Sequence, residues 1–154
     1  MPLVLGGSAV TAVTQANSCR FNLADSPDLS LSQAAGTSTK KLTVSMWIKR
    51  GGLGAAGTLW STGTGTADGM QVAFYQDKLV TESWDGSVNP KIETTRVFRD
   101  STSWYHLCMV WDTTDAAAAD RIRLYINGAE LTDFIADVNP SLNYDIPGWS
   151  GSGD

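Results

Sequence analysis

Apolar and polar residues alternate along most of this chain, which is the pattern of half-buried β-strands. In residues 42–49 every second residue is apolar: Leu42, Val44, Met46 and Ile48. One face of this strand is therefore predicted to be buried. Trp47 lies on the opposite face, and we expect a loop at the rim to cover that face as well.

The same pattern predicts a series of short strands along the chain. They lie at residues 58–61, 70–75, 78–84, 92–98, 104–111, 121–126 and 130–134, with an earlier strand around Cys19, Phe21 and Leu23. Gln76-Asp77 and Asn127-Gly128 are each typical of a tight hairpin turn. Residues 114–120 predict at most one helical turn. The predicted fold class is all-β, a two-sheet antiparallel sandwich.

The domain prediction divides the chain at residues 17 and 135. Residues 1–17 have no clear period and are predicted to form a flexible or partner-ordered arm. Residues 18–135 form the predicted sandwich, and residues 136–154 form an irregular tail. A sandwich that stops at residue 135 leaves a strand edge unpaired, which proteins normally avoid. The tail is therefore expected to continue into, or to be completed by, other chain.

The charge and the apolar content exclude two classes of partner. The net charge of −5 argues against nucleic-acid binding, which needs clustered Lys and Arg. No window approaches the roughly 18 apolar residues that a membrane span needs, and the first residues lack the features of a signal peptide. No membrane insertion and no export by the usual signal are predicted.

The chain has only two cysteines, Cys19 and Cys108. Without a secretory signal, two free buried thiols are the favoured prediction. A disulfide between Cys19 and Cys108, which would join the N-terminal strand to a central strand, remains the alternative.

Six segments carry a family resemblance. They are Arg20-Phe21-Asn22, Ser45-Met46-Trp47-Ile48-Lys49-Arg50, Val97-Phe98-Arg99-Asp100, Trp104-Tyr105-His106, Trp111-Asp112-Thr113-Thr114 and residues 120–128. In this order, over residues 18–135, they resemble a bacteriophage branch of the concanavalin A-like superfamily, in its laminin-G-like or pentraxin-like form. The resemblance implies a jelly roll on the exterior of a phage particle. It also implies a further C-terminal strand pair that this sequence lacks, so the sandwich is expected to be incomplete there.

The superfamily includes glucanases that carry three acids on one strand, in an E-x-D-x-x-E motif. The only glutamates here are Glu82, Glu93 and Glu130, and none belongs to such a motif. Glu82 and Asp85 are spaced to lie on opposite faces of a strand. His106 is the sole histidine and is expected to be hydrogen-bonded to the bend before its strand, which contains Asp100 and Ser103. The chain is therefore predicted not to be an enzyme.

Two weak binding sites are predicted. Trp84, with Asp85 and Asn89, is the candidate platform for a glycan, because exposed aromatic rings stack on pyranose faces. Trp47, Trp104 and Trp111 are instead expected to pack in the core.

The second candidate is a calcium site, since calcium is common in laminin-G-like and legume-lectin-like relatives. Asp112, Asp115 and Asp120 flank one loop and offer oxygen ligands. The loop lacks a compact D-x-D-x-D-G pattern, and solvated turn acids are the favoured interpretation. No other cofactor is predicted.

These observations predict a non-enzymatic structural protein of a phage virion, in a fibre, spike, tail or capsid surface. Its partners would be other virion proteins and further copies of itself. Its place would be the virion surface, after assembly in the cytoplasm of the host bacterium. The alternative is a receptor-binding lectin module that recognises a polysaccharide of the host surface.

Overall fold

The computed structural model describes residues 38–63, 68–86 and 89–149. The predicted arm at 1–17, the predicted N-terminal strand and Cys19 lie outside these residues. The described part contains nine strands: β1 (Lys41–Lys49), β2 (Gly57–Thr62), β3 (Gly69–Tyr75), β4 (Lys78–Trp84), β5 (Lys91–Val97), β6 (Trp104–Asp112), β7 (Ile122–Ile126), β8 (Ala129–Glu130) and β9 (Phe134–Val138). A short 3₁₀ helix spans Ala118–Asp120.

The strands form two antiparallel sheets. One sheet has the order β1-β6-β7-β8, and the other has the order β2-β3-β4-β5-β9. This confirms the all-β, two-sheet prediction. No helix in the described ranges is long and apolar enough to cross a membrane.

The core lies between the two sheets and follows from the alternation of the strands. On β6 the buried residues are Tyr105, Leu107, Met109 and Trp111. Trp111 is fully buried, and its indole N–H donates to the Thr81 hydroxyl of the facing sheet over 3.2 Å. The core therefore satisfies the one polar atom of its largest side chain, as a buried indole requires.

Phe98 fills the core where the chain crosses from β5 to the other sheet. Its ring lies 5.7 Å from that of Phe74, and 5.5 Å from that of Tyr105 in an edge-on arrangement. Such tilted and edge-on aromatic pairs add about 0.5–1.5 kcal/mol each beyond the apolar area they bury. The crossing segment is thereby fixed to both sheets.

The hairpin predicted at Asn127-Gly128 is confirmed, with positive φ at both residues. The single strand predicted at residues 130–134 is wrong. After Glu130 the chain leaves the four-stranded sheet, and β9 pairs with β5 in the other sheet. Leu131 and Phe134, both half-buried, pack against the core on either side of this change of sheet. The predicted domain boundary at residue 135 thus falls inside β9.

Residues 139–149, after β9, contain no strand and pack against the end of the sandwich. Ile146 is only 1% exposed, and its backbone N–H donates to the carbonyl of Thr39 over 2.8 Å. Farther along, the Trp149 ring lies edge-on against Trp60 at 6.3 Å. This segment therefore packs on the sandwich through Ile146 and Trp149, and whether other chain completes the sandwich stays a prediction.

Candidate functional site

The acidic loop between β6 and β7 carries the three residues predicted to bind calcium. Asp112 accepts from the Lys41 ammonium group over 2.8 Å and from the Thr114 hydroxyl and N–H. These contacts, that of Lys41 foremost, lower the pKa of Asp112. Asp115 and Asp120 both face Arg123, at 3.4 and 3.8 Å. Each carboxylate therefore already has a basic partner.

Arg121 occupies the interior of this loop. Its guanidinium is buried and donates to the carbonyl oxygens of Asp115, Ala116 and Pro140 over 2.8–3.2 Å. The Arg121 guanidinium thus hydrogen-bonds to backbone carbonyl oxygens, which are a kind of ligand that calcium binds. Within the described residues, no group of three or more His, Cys, Asp and Glu side chains is placed to hold a metal ion. The structure does not bring Asp112, Asp115 and Asp120 together into a calcium site.

The predicted glycan residues lie where β4 ends. Trp84 is half-buried, and its ring lies so close to Gly69 that a Cβ on that glycine would come within 2.6 Å of it. Asp85 and Asn89 are exposed. The charge of Asp85 also bears on Tyr144, whose pKa is raised, mainly by burial. The indole packs on the backbone of β3, and glycan binding at Trp84, Asp85 and Asn89 stays a prediction.

Two tryptophans expected in the core lie on the surface instead. Trp47 is 66% exposed and Trp104 is 59% exposed, both on the outward face of the four-stranded sheet. The prediction of core packing is wrong for these two and confirmed for Trp111. Among the described residues, none covers the Trp47 face as expected. The sequence pattern places Trp47 on the face opposite the core, but it does not say what covers that face.

His106 lies beside Trp47 on the same face. Its Nε2 is 2.9 Å from the Ser45 hydroxyl on the neighbouring strand, and its ring centroid is 5.1 Å from that of Trp47. The expected hydrogen bond to the preceding bend is therefore wrong. In that bend the hydroxyls and N–H groups of Ser103 and Thr102 surround the Asp100 carboxylate, and they lower its pKa strongly.

A groove of about 320 Å³ lies on the outward face of the five-stranded sheet. Ala73 and Val80 are small and buried at its floor. Gln71 and Glu82 line it and are joined by a hydrogen bond of 2.7 Å, and Lys91 lies beside them. The groove combines a small apolar floor with fixed polar groups, which is typical of sites for small polar ligands.

Comparison with known proteins places this architecture in a family. A family model described as the concanavalin A-like lectin/glucanases superfamily, of the laminin G type, matches residues 9–151. The chain belongs to this family. The solved structure of mouse laminin α1 chain, domains LG4-5, matches with a TM-score of 0.50 and 14% identity, over 77% of this chain and 28% of that chain. The match thus spans less than a third of that solved chain. No curated protein matches the chain in sequence.

As a laminin-G-type domain, the chain can be compared with the glucanases of its superfamily by the position of its glutamates. Glu82 and Glu93 lie on the outward face of the five-stranded sheet, and Glu130 lies in β8 of the other sheet. Glu93 accepts from Lys78 and Lys91 over 3.5 and 3.1 Å, one on each oxygen. Glu82 accepts from the Gln71 amide, so Glu82 and Glu93 both already have polar or basic partners.

Sequence reasoning missed the buried ion cluster of this laminin-G-type domain. Asp77, in the β3–β4 turn, accepts from Arg50 over 2.9 Å, from Arg99 over 3.1 Å and from the Gly54 N–H over 2.6 Å. The Gly54 hydrogen bond, followed by those of the arginines, lowers the pKa of Asp77. The one sequence signal for this cluster was Arg50, a charged residue directly after a strand in which every second residue is apolar. The cluster ties the glycine-rich loop to the hairpin and has a structural role.

Cys108 is half-buried on the outward face of β6 and forms no disulfide with another described residue. It lies opposite Ser45 on β1 and Tyr125 on β7. Because Cys19 lies outside the described residues, the choice between free thiols and a disulfide stays open.

Proposed function

We propose that this laminin-G-type domain is a non-enzymatic structural module of a bacteriophage virion, displayed in a fibre, spike, tail or capsid surface. The observation that carries the proposal is the role of the residues on which the phage resemblance rests. Phe98 and Trp111 fill the core, and Asp100 caps its own bend. Asn127 turns a hairpin and holds the backbone N–H of His106 over 2.8 Å. These residues build a scaffold and do not converge on a reactive centre.

The two ends of the sandwich support a role as a rigid module. At one end Arg50 donates to the carbonyl of Phe98 as well as to Asp77. At the other end Arg121 joins the loop after β6 to Pro140, which follows β9. Each end is thereby cross-linked between segments from both sheets. A module fixed at both ends presents its faces and loops in a constant geometry, which suits repeated copies in a particle.

The partners in this proposal are other virion proteins and copies of the domain itself, at the virion surface after assembly in the bacterial cytoplasm. The test is to purify the particles that carry this protein, to identify it among their proteins by mass spectrometry and to locate it by cryo-electron microscopy. We expect symmetric density for the two sheets in contact with capsid or tail proteins. A chain absent from the particles, and monomeric without affinity for their proteins, would contradict the proposal.

The second candidate function is a receptor-binding lectin module for a polysaccharide of the host surface. The groove over Ala73 and Val80 favours it, because its wall offers the amide of Gln71 and the charges of Glu82 and Lys91 to ligand hydroxyls. A glycan array and a cell-binding assay, each with and without calcium, test this candidate. Gln71→Ala is expected to weaken binding at the groove and to leave folding intact, because Gln71 is only partly buried. Absence of any glycan signal would count against a lectin.

A further inference from the structure

The turn between β7 and β8 contains the only asparagine of this chain that is followed by glycine. The pair is Asn127-Gly128, and every other asparagine precedes serine, leucine, proline or tyrosine. An asparagine amide is lost when the backbone nitrogen of the next residue attacks its Cγ, and glycine hinders this attack least because it has no Cβ. The sequence therefore marks Asn127 as the asparagine most open to deamidation.

The surroundings of the turn leave the attacking nitrogen free. Asn127 and Gly128 are both exposed, so water reaches them. The Gly128 N–H donates to no described backbone carbonyl. A Cβ placed on Gly128 would have no atom within 4 Å, so the space around this residue is open. Neither a hydrogen bond nor a packed neighbour holds the Gly128 nitrogen back.

The Asn127 side chain, in contrast, is fixed to β6. Its Oδ1 accepts from the backbone N–H of His106 over 2.8 Å, and the Asn127 N–H donates to the carbonyl of His106 over 2.8 Å. The last strand pair of β6 and β7 is Leu107 with Ile126, one residue before this contact. The side-chain carbonyl of Asn127 therefore takes the place of a backbone carbonyl and extends the ladder by one rung.

We propose that Asn127 is a deamidation site whose reaction is controlled by opening of the β7–β8 hairpin. While the hairpin is closed, the two hydrogen bonds with His106 hold the amide away from cyclisation. When it opens, the Gly128 nitrogen gives its proton to water and bonds to Cγ, and the amide nitrogen leaves as ammonia. Water then opens the resulting succinimide at one of its two carbonyls, which gives aspartate or isoaspartate at position 127. The proposal rests on neither the virion role nor the lectin candidate.

The two products should differ in their effect on the hairpin. Aspartate keeps an oxygen where Oδ1 lies and can still accept from the His106 N–H. Isoaspartate adds a methylene to the main chain inside a two-residue turn, and this turn sets the pairing of Ile126 with Ala129. Isoaspartate at position 127 should therefore break the end of the β6–β7–β8 ladder, whereas aspartate should leave it intact.

The test is to incubate the full chain in mildly alkaline buffer, folded and in urea, and to follow Asn127 by peptide mass spectrometry. We expect deamidation in urea and a rate at least about tenfold lower in the folded chain, because opening breaks the hydrogen bonds to His106. Leu131, directly after β8, donates to the Leu124 carbonyl and packs on the core. Leu131→Ala should therefore loosen the hairpin and speed the folded reaction severalfold. Ile135→Ala, at an exposed apolar residue of the other sheet, is the matched control and should keep the wild-type rate.

A second measurement does not depend on the folding of a core variant. The aspartate and isoaspartate forms made in urea are separated, refolded and melted. The aspartate form and the Asn127→Asp variant should melt as the wild type does, and the isoaspartate form should melt at a lower temperature. Four outcomes would each overturn the proposal: no deamidation of Asn127 in urea, equal rates in the folded and unfolded chain, no acceleration in a folded Leu131→Ala variant, and a wild-type melting temperature for the isoaspartate form.

Discussion

The two ends of this sandwich are each organised by a buried arginine, and they differ in the partner that the arginine uses. Arg50 pairs with a buried carboxylate, Asp77, and also donates to two carbonyls. Arg121 donates only to carbonyls, although three aspartates flank its loop. The acid is part of the core at the first end and lies at the surface at the second. A cluster of carboxylates in the sequence therefore does not indicate which acid is buried and contributes most to stability.

The comparison also explains why the sequence drew attention to the acidic loop and not to the buried ion cluster. Asp112, Asp115 and Asp120 form a visible cluster in the chain, whereas Arg50, Asp77 and Arg99 are far apart and meet only through folding. The difference in burial between the two ends should appear as a difference in the free energy of unfolding that each arginine contributes. Substitutions at the two ends should therefore differ in cost, with the largest loss at Arg50.

Arg50→Met should cause the largest loss of stability. The substitution keeps an apolar stem but leaves Asp77 buried without its main cation, and breaking a buried ion pair costs about 3–5 kcal/mol. Urea unfolding followed by circular dichroism measures the change. The matched control is Arg99→Met, because Arg99 contacts the same carboxylate but its side chain is 67% exposed; it should cost less than about 1 kcal/mol. Equal losses in the two variants would show that burial does not separate them.

Arg121→Met should cause a smaller but clear loss. Its guanidinium satisfies three carbonyl oxygens, and a lost hydrogen bond to a charged group costs about 1.5–3 kcal/mol. Water can reach part of the exposed loop and replace some of these bonds. The free energy of unfolding should therefore fall by about 2–3 kcal/mol, less than for Arg50→Met. A loss larger than that of Arg50→Met would reverse the comparison between the two ends.

The pH dependence of stability should arise in part from Asp77. Its pKa is lower in the folded protein than the ordinary value of 3.8, so folding favours its ionised form. The contribution is fully present above the unfolded pKa and is lost as the pH falls through the folded pKa. The free energy of unfolding should therefore decrease on acidification below about pH 4. Urea titrations between about pH 5 and 2 should show a shallower decrease in Asp77→Asn than in the wild type.

The fold could be predicted from the sequence because alternation reports directly on a face buried against the core. The strand around Val44 and the hairpin at Asn127-Gly128 are local signals of this kind. The change of sheet between Glu130 and Phe134 is not local, because it depends on which neighbour can bury Leu131 and Phe134. In β9 the half-buried Phe134 and Ala136 alternate with the exposed Ile135 and Asp137, but Ile135 is apolar, so polarity does not alternate along this strand.

The candidate sites were harder to predict, since exposure depends on what lies above a sheet face. Alternation places Trp47 and Trp104 on the outward face and Trp111 on the core face, but it does not say whether the outward face is covered. Trp84 was predicted to be an exposed platform, but it is half-buried and covers Gly69. Chemistry that arises from pairs of distant residues, such as Arg50 and Asp77, cannot be seen in spacing along one strand.

The smallest effect is expected at the acidic loop. Asp115→Asn removes a partly exposed pair with Arg123 and should cost about 0.5 kcal/mol, the range of surface salt bridges. Because Arg121 already takes the loop carbonyls, millimolar calcium should not raise the melting temperature of the wild type above its value in EDTA. A calcium ion bound here would stabilise the fold by mass action, and the stabilisation would grow with calcium concentration. A rise that Asp115→Asn abolishes would show that these aspartates hold calcium after all, and that the two ends differ less than their arginines indicate.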